Sequence, residues 1–124
     1  MRPQMAELVA LALVIVCHEA GHAAAAQSAG LKWRAFARLP WRIGVAVVVP
    51  ENGLNPRDEL RIALAGPGAS IMLAILTVGT WRWLGVYSGL VAVANLLPFP
   101  GSDGMRAAHA VRLLAAQAIS ASAR

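Results

Sequence analysis

Three ionisable side chains interrupt an apolar run close to the N-terminus. His18, Glu19 and His22 stand in VCHEAGHAAAAQ (Val16–Gln27), at the end of LVALALVIV. On a helix, residues four apart project about 40° from each other, one turn apart on the same face. Two imidazoles so placed can share one Zn²⁺, and the carboxylate beside them can reach a water at that metal. The chemistry this set supports is hydrolysis at a carbonyl carbon, with the carboxylate moving the proton. Ala20 and Gly21 keep the helix surface slim around the pair.

Such groups need elements to hold them, and the composition indicates which kind. Of 124 residues, 58% are hydrophobic and 14% charged, against about 25% charged in a typical soluble domain. That balance points to a membrane protein. The net charge of +5 comes without the aromatic-plus-basic patterns of RNA-binding modules, so no nucleic-acid partner is expected. Cys17 is the sole cysteine, which excludes an intramolecular disulfide and a cysteine-based zinc knuckle.

Three transmembrane segments are expected. The first runs from about Met5 to Ala29, closed by Gly30; at 1.5 Å per residue it is about 37 Å long, enough to cross a bilayer core. A signal-peptide reading of this stretch would discard the histidines and is set aside. The second covers about Arg61 to Thr80, with Pro67 between two glycines. The third starts near Trp83 and is broken by Pro98 and Pro100. Between the first two, Ile43–Val49 reads as a strand, β-branched and bounded by Pro50 and Glu51-Asn52-Gly53. Lys32–Arg38 is its expected hairpin partner, turning around Leu39-Pro40, and Gly44 lowers the expected regularity. A further helix is expected after Gly104. The fold expected is therefore mainly α, a polytopic membrane protein with a membrane-associated β-hairpin and a C-terminal helix, the whole of 1–124 forming one domain. Trp33, Trp41, Trp81 and Trp83 suit the interface.

The basic residues orient these spans. Three crossings leave Arg2 and Arg82 on one side. Lys32, Arg34, Arg38, Arg42, Arg57, Arg61, Arg106, Arg112 and Arg124 fall on the other. Nine against two makes that other side cytoplasmic, with the N-terminus outside and His22 toward the inner end of its span. A catalytic zinc needs a third protein ligand and an open position. Glu7 is too near the outer end, and Glu51, Asp58 and Glu59 lie in the polar loop. Asp103 directly follows NLLPFPGS at the inner end of the third span, on the same side as His22, and is the leading candidate. His109 is the second.

A bare HExxH also recurs by chance, and paired histidines are often only hydrogen-bonded core residues. The membrane setting weighs against that reading, because a charge near the bilayer centre costs about 3 kcal/mol or more unless partnered.

VCHEAGH on a first span, AGPGAS (Ala65–Ser70) on a second and NLLPFPGSDG (Asn95–Gly104) after a third resemble the site-2 protease family of intramembrane zinc metalloproteases. The resemblance implies one Zn²⁺ held by His18, His22 and Asp103, with Glu19 as the catalytic acid/base. It implies a substrate-binding role for Asn95. It also implies that the strand carrying Ile43, Val45 and Val47 pairs with substrate, as an edge strand can by β-addition. The expected partners are a membrane-protein substrate and the lipid bilayer, in a multi-pass protein of the cell membrane. Ser102 stands where the family usually has Leu, and Ser70 where it often has Asn. Neither is a ligand, so altered packing rather than lost chemistry is expected. The competing readings are a catalytically silent scaffold that keeps this fold and a fragment of a zinc transporter. Three short spans leave little room for a transport pathway.

Overall fold

The computed structural model describes residues 2–38 and 42–124. Helix α1 (Pro3–Ser28) is followed by strands β1 (Trp33–Arg38) and β2 (Arg42–Val47). Helices α2 (Pro56–Thr77), α3 (Arg82–Leu96) and α4 (Asp103–Ser122) complete the chain. The mainly helical fold with a small hairpin after the first helix is as expected. The expected turn at Leu39-Pro40 lies outside the described residues.

The helix limits follow from local chemistry. Past Ser28 the chain turns through Gly30 at φ 74°, where the Gly30 N–H donates to the Gln27 carbonyl and the Leu31 N–H to the Ala26 carbonyl. This paired closure satisfies carbonyls that the helix end would otherwise leave open, and the left-handed conformation suits glycine. Helix α2 begins earlier than the apolar run suggests. Asn55 caps it by accepting from the Arg57 N–H, Pro56 occupies the first turn, and Asp58 and Glu59 favour its positive end. Helix α3 stops at Leu96 because Leu97 precedes Pro98 and is driven into extended backbone, φ −67° and ψ 136°.

Length separates the helices. With 26 and 22 residues, α1 and α2 are long and apolar enough to cross a membrane. Helix α3 has 15 residues, about 22 Å at the standard rise, short of a hydrocarbon core of about 30 Å. Of the three transmembrane segments expected, two are helices of spanning length and the third is a shorter apolar helix.

Helix α2 lies at the centre and packs against α1, α3 and α4, while β2 lies against α1. The contacts rely on small residues. A Cβ on Gly21 would meet the Ala65 carbonyl and come within 2.9 Å of the Ala69 Cβ, so α1 and α2 approach almost backbone to backbone, as helices in bilayers commonly do. Ala10, Val14 and Leu84 form a buried cluster, covered by Leu73, Trp81, Tyr87 and Val91. Large apolar side chains instead face outward, among them Leu8, Val16, Ile75, Leu76, Leu90 and Val93. An apolar exterior around an interior of Ala, Gly and Ser is the arrangement lipid favours and water does not.

The hairpin is regular through Gly44, which pairs with Phe36. Gly44 is buried, and a Cβ there would come within 3.0 Å of the Phe36 ring. The irregularity expected at this glycine does not occur, because Phe36 fills the space a side chain would need. The Val48 N–H donates to Lys32 across the ladder. By antiparallel alternation, the even-numbered residues of β2 face β1, and Ile43, Val45 and Val47 turn their backbone groups to the free edge.

Candidate metal centre

His18 and His22 project from α1 toward α2, one turn apart, with ring centroids 4.9 Å apart and the rings edge to face. Three features of α2 receive them, spaced four residues apart along one stripe. The Ile62 carbonyl accepts from His22 Nδ1 at 2.6 Å, and Ser70 Oγ lies 2.9 Å from His18 Nδ1. Midway between them, Gly66 makes room for both rings. A Cβ there would strike His22 Nε2 and lie 2.8 Å from His18 Nε2. Pro67, buried inside the helix, supplies no N–H to the ladder, which loosens it beside the carbonyl that His22 uses.

These contacts define the tautomers. A carbonyl only accepts, so His22 Nδ1 carries a proton and a neutral His22 keeps its lone pair on Nε2. Ser70 can accept likewise from His18.

Asp103 arrives from the opposite side. Pro98 and Pro100 end α3, and Gly101 turns the chain at φ 84°. Ser102 then caps α4, accepting from the Met105 N–H and donating to the Leu97 carbonyl at 2.6 Å. Gly104 lets this corner close, since a Cβ there would collide with the Leu96 carbonyl. The Asp103 Oδ2 atom lies 3.1 Å from His18 Nε2 and 3.2 Å from His22 Nε2, and the two Nε2 atoms are 3.2 Å apart. All three side chains are buried. Burial alone would raise the Asp103 pKa, but the facing imidazoles hold it well below the usual carboxylate range.

The donor set fits a divalent cation. A single proton satisfies one pair among three converging acceptors, whereas a metal satisfies all three. Tetrahedral zinc with bonds of about 2.0–2.1 Å has ligand–ligand edges of about 3.3–3.4 Å, and the three observed edges of 3.1–3.2 Å are close to that. The Nδ1 partners at Ile62 and Ser70 supply the outer hydrogen bonds that ligating histidines normally have.

Glu19 is half-buried beside the triad. Its Oε2 accepts from the Val45 N–H at 2.8 Å, across the free edge of β2. Val45 and Val47 line a cavity of about 260 Å³ together with His22, Leu54, Glu59, Ile62 and Arg106. Ile43 is exposed. Asn95 is half-buried and donates its Nδ2 hydrogen to the Val91 carbonyl of its own helix. His109 is exposed on α4 and takes no part in the cluster. Cys17 faces α2, with its Sγ 3.9 Å from the Ala69 carbonyl. Residue identity alone does not reveal the Ile62 carbonyl, the Val45 amide or the ion pairs of Arg106. Ser70 was visible only as a departure from a familiar pattern.

The sequence profile of Peptidase family M50 matches residues 6–80, more than half of the chain. This chain belongs to family M50, the site-2 proteases. The matched stretch contains His18, Glu19, His22, the hairpin and α2, while Asp103 lies beyond it. A protein of Mycolicibacterium smegmatis named "Putative zinc metalloprotease Rip2" is 34% identical over 76 residues, covering 49% of this chain and 29% of that protein. The match thus spans less than a third of that relative. A family M50 chain with a His-His-Asp cluster able to hold a metal is, at that level, a metalloprotease-family protein for which zinc is the implied metal.

Proposed function

We propose that this chain is the catalytic core of an intramembrane zinc endopeptidase, which cuts peptide bonds in transmembrane or membrane-proximal segments of other proteins. The observation that carries the reading is the buried convergence of His18 Nε2, His22 Nε2 and Asp103 Oδ2 within 3.2 Å of one another, beside Glu19. Those three side chains would hold one Zn²⁺. When bound there, zinc supplies a Lewis acid that polarises the scissile carbonyl and acidifies water.

The remaining steps belong to the protein. Glu19 takes the proton of the attacking water and returns it to the leaving nitrogen. Ser70 and the Ile62 carbonyl keep the two imidazoles oriented while this happens. The free edge of β2, at Ile43, Val45 and Val47, pairs with an unwound stretch of substrate next to the cavity, and Asn95 helps to hold it. A substrate helix must open before its carbonyl can enter, so small or helix-breaking residues near the cut favour cleavage. The basic bias of the hairpin and of α4 supports an orientation with the site toward the cytoplasmic face of the cell membrane and the N-terminus outside. In this arrangement the shorter α3 makes the third crossing where the bilayer thins around it, and residues 1–124 act as one domain.

Glu19→Gln tests the reading. The full chain, in proteoliposomes with a panel of single-span reporters, should release fragments identifiable by mass spectrometry. Zinc chelation and the substitution should each abolish them while the variant still binds zinc. Cleavage that survives both would overturn the proposal. An inert Glu19→Gln protein that retains its full biological role would favour the scaffold.

A further inference from the structure

Asp103 uses one carboxylate oxygen toward the histidines and turns the other toward Arg106. That second oxygen, Oδ1, lies 3.6 Å from Arg106 Nη1, one turn along α4. Arg106 Nε simultaneously donates to Glu59 Oε1 on α2 at 2.7 Å. The guanidinium therefore bridges two acids on two helices, and its planar fork can meet both at once. Glu59 and Arg106 also line the cavity that His22 and β2 share. Arg106 is only partly exposed, and Glu59 less so.

From this geometry we infer that Arg106 is a positioning residue for the metal centre, with Glu59 as its anchor. An Asp side chain is free to rotate about its terminal torsion, and either oxygen could swing toward the histidines. Arg106 removes that freedom. By holding Oδ1 on the cavity side, it presents Oδ2 to the two Nε2 atoms. Glu59 holds Arg106 in turn, so the carboxylate is referenced to α2. That helix also orients His18 through Ser70 and His22 through Ile62, and all three donors are thereby tied to one helix that contributes no ligand itself. The inference rests on the metal-site reading proposed above and adds to it the way the third ligand is held.

The experiment measures metal binding rather than cleavage. Full-length protein in detergent is titrated with Zn²⁺ against a chelating indicator, and with Co²⁺ for its visible spectrum, with helix content followed by circular dichroism. Arg106→Ala should weaken Zn²⁺ about 10- to 100-fold, the usual cost of losing an outer-sphere partner, and should alter the Co²⁺ spectrum while the helices persist. Should that variant fail to fold, Arg106→Lys keeps a cation between the helices without the fork and should still weaken binding.

The double exchange Glu59→Arg with Arg106→Glu separates positioning from a purely structural bridge. It restores the α2–α4 ion pair but sets a carboxylate against Asp103. Positioning requires that the exchange fail to restore affinity, and full restoration would overturn it, as would wild-type affinity in the single variants. His18→Ala and Asp103→Ala serve as references. If they too leave Zn²⁺ affinity unchanged, the metal-site reading itself fails. If they abolish binding while Arg106→Ala does not alter it, only the present inference fails.

Discussion

Replacing Gly66 with alanine adds one methyl group at the place where both imidazoles pass α2. That carbon would strike His22 Nε2 and lie 2.8 Å from His18 Nε2. Comfortable contact needs about 3.5 Å, so the His18 ring must retreat about 0.7 Å and the His22 ring farther. Zinc sites tolerate errors of about 0.2 Å in ligand distance. The rings cannot retreat freely, because His22 Nδ1 is bonded to Ile62 at 2.6 Å and His18 Nδ1 lies 2.9 Å from Ser70 Oγ. Giving up both bonds costs about 1–1.5 kcal/mol each. Together this is about 100-fold in affinity at 1.4 kcal/mol per tenfold.

The expected result is loss of Zn²⁺ binding by about 100-fold or more, in a protein whose helices are intact. Alanine is worth about 1 kcal/mol more than glycine inside a helix, which offsets part of that cost, so the helices persist while the thermal midpoint falls with the lost metal. Gly68 is the control, since a Cβ there meets nothing within 4 Å. Gly68→Ala should leave affinity unchanged. Competition titration of wild type and both variants decides the matter. Gly66→Ala binding within about threefold of wild type, or Gly68→Ala losing as much, would refute the reasoning about how the rings are seated.

Further outcomes follow from neighbouring contacts. Ser70→Ala removes the hydroxyl facing His18 Nδ1 and should weaken Zn²⁺ about tenfold by the same titration, the low end of the usual outer-sphere range. Ser102→Leu restores the residue common in the family but deletes the cap on Met105 and the bond to Leu97. It should cost about 1–2 kcal/mol of stability, read as a lowered thermal midpoint. Chelating zinc from wild-type protein should also lower the midpoint, because a ligand present at about 100 times its Kd contributes about 2.7 kcal/mol. The Glu19→Gln protein should show the same shift on chelation, since Glu19 is bonded to the hairpin and lies outside the triad.

Much of this arrangement was legible in the residues. The four-residue spacing of His18 and His22 defines a helix face whatever the surroundings, and that face turned out to be buried. Asp103 is the acid that stands at the right end of the chain's third apolar segment. The contact of its Oδ2 with both Nε2 atoms was a matter of side-chain packing that only coordinates supply. The hairpin declared itself through β-branched residues and turn signals.

What stayed hidden has common physical causes. The Ile62 carbonyl and the Val45 amide are backbone groups, and every residue has them, so side-chain identity does not mark them. Arg106 entered only the count of basic residues, because its two acidic partners are 47 positions away and one turn away. The third apolar segment, by contrast, was legible to within a residue at each end, because the break expected at Pro98 is where Leu97 turns to extended backbone.

The hydrogen bond between Glu19 and Val45 carries one more consequence. A guest peptide that joins β2 at that rung needs the same amide hydrogen that the carboxylate now occupies. On the reading proposed above, arrival of the guest and release of the proton carrier would be a single exchange, with Glu19 resting on the hairpin while the cleft is empty.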